Sequence, residues 1–474
     1  MDSSLCNLGV FELGRLYRQH ELSPVEVVDA HLDRCERLNP VLNSFLLILK
    51  EQAKEAAQAM AALFRAGLDL GPLQGIPVSI KDLIQMRGTR TTGGSRVLLQ
   101  EALDQKNATI VQRLLSSGAI IIGKTNLHEF ASGDPDPAGP FGLVQNPRRL
   151  GYHPGSSSSG AGAAVAAGLG VIAIGTDTSG SIRIPAYLCG VAGIKPTTGR
   201  IELDGIIPLS WTLDSVGPLA RRVRDVAAGF RVCAGRTDEH LGFEDASGAG
   251  LLRILDQPVH GWRIGIPRGE YFHQMQPVVS IAFENTLRVL GDLGCQLIEF
   301  DPPGVDLMQN LTMVIVQAEG STYHERYRDR DPLYGDSFRE RILVGRELKA
   351  VNYLTARKRQ IELQREWQEA VFGFDALAMP SGPAVAPPHG TTTIEINGKP
   401  FAFRPLLSSF TRPANLLGWP ALTLPNGISE EGLSTGVQLM GLKDSEDRLL
   451  NLGHQLEQAL GLVSKLGIEP SQKA

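Results

Sequence analysis

From Leu150 to Thr176 the chain carries no Asp, Glu, Lys or Arg, and glycine, alanine and serine dominate the run. A segment without charge is withdrawn from water, either into lipid or into the protein's own interior. Its glycines and serines, and the break at Pro154, make it a poor bilayer span, so no membrane partner is expected. The protein interior remains. Within the run, residues 160–169 read as an Ala-rich helix and Val171–Ile174 as an apolar strand, which places the serines of 156–159 in a loop gripped by two core elements.

Helix and strand signals alternate along the rest of the chain. Ser23-Pro24-Val25-Glu26 combines a capping serine, a proline at the first helical position and a glutamate three residues after the cap, so a helix starts there. The β-branched run Gly75-Ile76-Pro77-Val78-Ser79-Ile80-Lys81-Asp82 predicts a buried strand that ends on a lysine. Residues 107–117 predict a helix stopped by Gly118, and 119–122 a strand. Further strands are expected near 171–175, 263–267, 296–299, 376–379, 421–424 and 435–440, and helices near 50–66, 277–293, 348–372 and 445–460. This alternation predicts an α/β fold with a central mixed sheet flanked by helices on both faces. No repeat or Pro- or Ser-rich linker divides the 474 residues, so a single domain over 1–474 is expected.

Charge and cysteine usage narrow the partners. The 46 basic and 51 acidic side chains leave a formal net charge of −5, which gives no electrostatic footprint for nucleic acid. Cys6, Cys35, Cys189, Cys233 and Cys295 are scattered without CxxC spacing, as free thiols in a reducing compartment would be. The N-terminus has charges within its apolar part and does not read as a signal peptide, so a cytoplasmic location is the default expectation.

Two nucleotide motifs are matched in letters only. Gly118-Ala119-Ile120-Ile121-Ile122-Gly123-Lys124-Thr125 fits GxxxxGK[ST], but its isoleucines belong in a strand and not in a loop wrapped around phosphate. Gly160-Ala161-Gly162 has Val165 where a dinucleotide fingerprint needs its third glycine. No cofactor is expected. His128 and His153 lack a second ligating residue at suitable spacing, so they read as structural and no metal site is expected.

Chemistry concentrates in Gly155-Ser156-Ser157-Ser158-Ser159-Gly160 and Gly175-Thr176-Asp177-Thr178-Ser179-Gly180-Ser181-Ile182-Arg183-Ile184-Pro185. A hydroxyl nucleophile needs a base and backbone donors for an oxyanion, and small residues admit both chain and substrate. With Gly75–Asp82, Gly123–Phe130, Gly193–Thr197, Pro208–Asp214 and Phe410–Pro413, these segments resemble the amidase signature family, with the match weakest between about 300 and 370.

The resemblance implies a serine hydrolase that cleaves carboxamide C–N bonds in a small-molecule amide and releases a carboxylic acid with ammonia or an amine. It makes Ser181 the acylated nucleophile, Ser157 a bridging serine in a cis peptide bond, and Lys81 the base. Backbone N–H groups of Thr178, Ser179, Gly180 and Ser181 would hold the oxyanion, and Phe130, Ala131 and Ser132 would lie along the substrate pocket. The 300–370 region, with Tyr323, His324 and Tyr327, is the expected place for specificity.

Lysine ordinarily titrates near 10.4, so Lys81 accepts a proton at neutral pH only if burial away from carboxylates lowers that value. Asp177 and Arg183 therefore read as a structural pair bracing the nucleophile loop. Ser156, Ser159 and Ser179 stand where the family has glycine, which costs about 1 kcal/mol wherever a positive φ is needed. Carbamate or ester hydrolysis by the same triad is one alternative. A second is the glutaminase/transferase component of a tRNA-dependent amidotransferase, although Ile184 stands where that branch leads us to expect glutamine. A homodimer is left open.

Overall fold

The computed structural model describes residues 3–235 and 248–471. The strands are β1 (Phe45–Ile48), β2 (Pro77–Lys81), β3 (Ile120–Thr125), β4 (Ile172–Asp177), β5 (Ala192–Lys195), β6 (Ser215–Ala220), β7 (Arg263–Pro267), β8 (Gln296–Phe300) and β9 (Ala376–Pro380). A small hairpin, β10 (Thr393–Ile396) and β11 (Lys399–Ala402), precedes β12 (Ala421–Ile428) and β13 (Ser434–Met440). Apart from the hairpin, the strands form one 11-stranded sheet in the order β1-β3-β2-β4-β6-β5-β12-β13-β9-β7-β8. Pairing is parallel around β2 and β7 and antiparallel through the middle, so the sheet is mixed.

Both faces are covered. Every residue of β2, β3, β4, β5, β6, β9 and β13 is buried, although successive side chains point to opposite faces. The edge strands β1 and β8 are the more exposed, with further exposed positions at Arg263, which starts β7, and Ile428, which ends β12. The α/β class with a helix-flanked mixed sheet is borne out, and the predicted strands and helices fall within a few residues of their observed limits. Ser23 and Glu26 form the expected capping box at the start of the Pro24–Leu42 helix.

Departures from the sequence reading have local causes. β5 (AGIK) and β6 (SVGPLA) contain glycine or proline, which weaken a strand signal, and the helices Val305–His324 and Asp336–Arg346 lie where the sequence predicts no element. The GxxxxGK[ST] match is strand β3, as its isoleucines require. Among the described residues no helix is long and apolar enough to cross a membrane. The charge-free run forms the Ser159–Ala166 helix and most of β4. A Cβ on Gly160 would stand 2.3 Å from the Ser44 carbonyl oxygen, so only glycine lets that helix sit so close to the strands.

Candidate active site

Parallel pairing of β2 with β4 matches Ile80 to Ile174, so Lys81 and Thr176 emerge together at the carboxyl end of the sheet. Ligands of α/β sheets gather at such strand ends. The Lys81 side chain is fully buried, and its Nζ lies 2.8 Å from Ser157 Oγ, 3.0 Å from Ser158 Oγ and 2.9 Å from Thr176 Oγ1. Among the described residues no carboxylate touches it, and its neighbour Asp82 is paired with Lys124 at 2.7 Å. Burial pushes the Lys81 ammonium down to about 7, against the opposing pull of Asp214 and Asp177.

Counting protons sharpens this arrangement. A neutral amine has two N–H donors and one lone pair, so one of its three hydroxyl neighbours must donate to it. Ser158 Oγ already donates to the Thr176 carbonyl at 3.2 Å, which leaves either Ser157 or Thr176 as the one donor to Nζ. The Ser156–Ser157 peptide bond is cis, as the resemblance implies.

Ser181 follows β4 in a tightly braced loop. Asp177 accepts from Gly180 N at 2.7 Å and from Ile182 N at 3.1 Å, and it pairs with Arg183 at 2.9 Å. Burial alone would raise the Asp177 carboxyl, but the Arg183 guanidinium overrides it and holds it well below the usual range. The structural role read for that pair stands. Asn415 donates to Asp177, Gln438 accepts from Arg183, and the Thr411 hydroxyl donates to the Ser179 carbonyl at 2.7 Å. No sequence signal had marked Asn415 or Gln438, whose side-chain amides could bond anywhere.

Gly180 has φ +124°, and an added Cβ would lie 2.2 Å from Thr411 Oγ1. Ser156, Ser159 and Ser179 all have negative φ, so replacing the family's glycines there adds no backbone strain. Gly180 needs a correction: its N–H is committed to Asp177 and is not available to an oxyanion. Among the described residues the N–H groups of Thr178, Ser179 and Ser181 have no acceptor.

The Ser158 N–H donates to the Ser181 carbonyl at 3.2 Å and ties the two serine segments together. Among the described residues no hydrogen bond joins the Ser157 and Ser181 hydroxyls. Ser181 opens, with 8% exposure, onto a cavity of about 170 Å³. That is smaller than the roughly 300–1,000 Å³ of drug-sized ligand sites, so the space suits a small molecule.

The cavity wall only partly follows the sequence reading. Ala131 and Ser132 line it, whereas Phe130 is buried behind it against His324 and Phe338, with ring centroids 4.4 and 5.3 Å away. Region 300–370 does contribute, but through Gln309, Thr312, Met313, Val316 and Arg341. Tyr323, His324 and Tyr327 instead pack in the cluster behind Phe130. Their aromatic bulk, which suggested a recognition surface, serves packing. Arg412, which the sequence reading left without a role, also faces the cavity.

His128 and His153 are buried ring neighbours 5.7 Å apart, and burial holds both in the neutral form. Among the described residues no cluster of His, Cys, Asp and Glu could hold a metal ion. All five cysteines are buried, and none is joined in a disulfide.

The family model described as Amidase matches residues 26–450. A crystal structure of an amidase superposes with a TM-score of 0.86 at 32% identity, covering 95% of this chain and 99% of that one. The peptide amidase of Stenotrophomonas maltophilia gives a TM-score of 0.81 at 28% identity, covering 98% and 99%. A component of the glutamyl-tRNA(Gln) amidotransferase of Roseiflexus castenholzii is 36% identical over 473 residues, which is 95% of each chain. Alike in sequence and in shape over nearly its whole length, the chain belongs to the amidase family.

Proposed function

We propose that the chain, acting as one domain, hydrolyses small carboxamides through an acyl-enzyme on Ser181, without a cofactor. The observation that carries this reading is Lys81, a buried lysine with three hydroxyl neighbours and, among the described residues, no carboxylate in contact. Neutral Lys81 takes the Ser157 proton while Ser157 takes that of Ser181, whose oxygen attacks the amide carbon. The Ser157–Ser181 hydrogen bond forms when substrate turns the Ser181 hydroxyl, since catalytic hydrogen bonds tighten in the substrate complex. The free N–H groups of Thr178, Ser179 and Ser181 receive the oxyanion. The proton returns through Ser157 to the leaving nitrogen, the C–N bond breaks, and water repeats the sequence to release the acid.

Matched amide, ester and carbamate substrates test the reading beside Ser181→Ala and Lys81→Ala. Amide turnover with a covalent acyl adduct on Ser181, absent from Ser181→Ala by mass spectrometry, is expected. Undiminished turnover in both variants defeats it. A preference for carbamate or ester over amide moves the assignment to those leaving groups, because the machinery is shared.

A second reading, one component of a tRNA-dependent amidotransferase, draws on relatives such as that of Roseiflexus castenholzii. Against it, the residue after Arg183 is Ile184, an apolar side chain on the cavity wall. Stable co-purification with further proteins, together with glutaminase activity that depends on them, would favour this second reading.

A further inference from the structure

Among the described residues the cavity that holds Ser181 is lined by three arginines, Arg341, Arg404 and Arg412, and by no aspartate or glutamate. Arg404 is paired with Asp134 at 3.1 Å. The other two have no carboxylate partner among the described residues. Arg412 is only 4% exposed and meets neutral groups: Nη2 donates to Ser408 Oγ at 2.5 Å and Nη1 to Gln309 Oε1 at 3.4 Å, with the Tyr271 hydroxyl also beside it. Arg341 Nη1 donates to Ser132 Oγ at 3.2 Å, which ties it to the pocket wall.

A guanidinium withdrawn from water without an anion is costly unless something else supplies the charge. Burial pushes Arg412 down to about 10, which still leaves it a cation at neutral pH. Guanidinium groups bind carboxylates in planar, bidentate fashion. Phe403 and Leu407 add apolar wall, so a short carbon spacer would be accommodated between the nucleophile and the cations.

The geometry points to a small amide that carries a carboxylate, with its amide carbon at Ser181 and its carboxylate between Arg412 and Arg341. This assignment rests on the hydrolase reading for the role of Ser181. The carboxylate belongs either to the acyl part, as in a dicarboxylic acid monoamide, or to the departing amine, as in an N-acyl amino acid.

The full-length chain is tested on two substrate pairs, succinamate against succinamide and N-acetylglycine against N-acetylglycinamide. In parallel, binding of succinate and succinamide is measured by calorimetry. The expected result is at least a tenfold higher kcat/KM for the carboxylate member of one pair, carried by KM, and at least tenfold tighter binding of succinate. Which pair shows the preference identifies the side that bears the carboxylate. Both ratios should collapse in Arg341→Gln and Arg412→Gln and recover partly in Arg412→Lys, with melting curves confirming folded variants.

Arg341→Gln alone suffices if Arg412→Gln fails to fold, since Arg341 is only half-buried. Hydrolysis without preference, or preference surviving in the variants, overturns the assignment and leaves the hydrolase reading intact. Arginine-dependent succinate binding without turnover of any amide supports the anion site and defeats the hydrolase reading. Equal binding of succinate and succinamide without turnover defeats both.

Discussion

Arg183 and Asp177 form an ion pair at 2.9 Å with both side chains completely shielded from solvent. Around it converge the nucleophile loop, the Arg412–Leu417 helix and strand β13, so a single contact ties three distant pieces of chain to the position of Ser181. Removing one partner of such a pair strands the other charge, at a cost of about 3–5 kcal/mol. Asp177→Ala should therefore lower stability by that amount in urea denaturation, with Asp177→Asn less affected because it keeps an acceptor. A loss below about 1 kcal/mol would show that the pair braces nothing.

The sign of the pH dependence follows from which form of Lys81 works. Burial brings its ammonium down to about 7, so the neutral base grows as pH rises through that value. The acid limb of kcat/KM should have a midpoint near 7, and about a tenth of the enzyme should be active one unit lower. Stability also changes with pH. Because the folded value lies below the unfolded one, the unfolded chain binds more protons between about 7 and 10.4, and this group's contribution to stability rises over that window. A flat kcat/KM from pH 5 to 8 would contradict the assignment of Lys81 as base.

Thr176→Val tests how the hydroxyl neighbours tune that base. The Thr176 hydroxyl accepts from the Lys81 ammonium, and removing an acceptor disfavours the charged form. The acid limb should move to lower pH by about 1 unit, since a hydrogen bond to a charged group is worth about 1.5–3 kcal/mol and part of it is recovered by neighbours. Movement to higher pH would mean that Thr176 acts mainly as a donor to the neutral amine.

Gly180→Ala puts a methyl group where the Thr411 side chain already lies and asks an L-residue to adopt φ +124°. The backbone term alone costs about 1–3 kcal/mol. Displacing the loop by about 1 Å should lower kcat about a hundredfold. Pairing it with Thr411→Ala should relieve the clash but leave the backbone cost, so recovery measured by kcat should be partial. Full activity in Gly180→Ala would show that the loop tolerates displacement.

Much of the architecture was legible because the apolar runs carry their own period. β2, β3 and β4 are short, β-branched and buried on both faces, and the Pro24–Leu42 helix starts where its cap said. The lysine at the end of β2 and the serines beyond β4 were legible as chemistry through their company. The commitment of the Gly180 N–H to Asp177 was not legible, because a backbone donor has the same letters whether free or engaged. Phe130 was misplaced for a related reason. Family position puts it in the right segment, but positive φ at Phe130 and Ala131 turns the ring away from the cavity and leaves the next side chains on its wall. Arg341 and Arg412 were passed over because an arginine in sequence does not disclose whether a carboxylate will meet it.

The Thr411 hydroxyl grips the Ser179 carbonyl from 232 residues further along the chain, and Asn415 and Gln438 close the same cradle. A shortened product ending before 410 would contain Lys81, Ser157 and Ser181 yet have nothing to clasp the loop that bears the nucleophile. Such a fragment is expected to be silent, so a stray hydrolytic half-molecule, loose among the amides of its surroundings, is something this architecture does not permit.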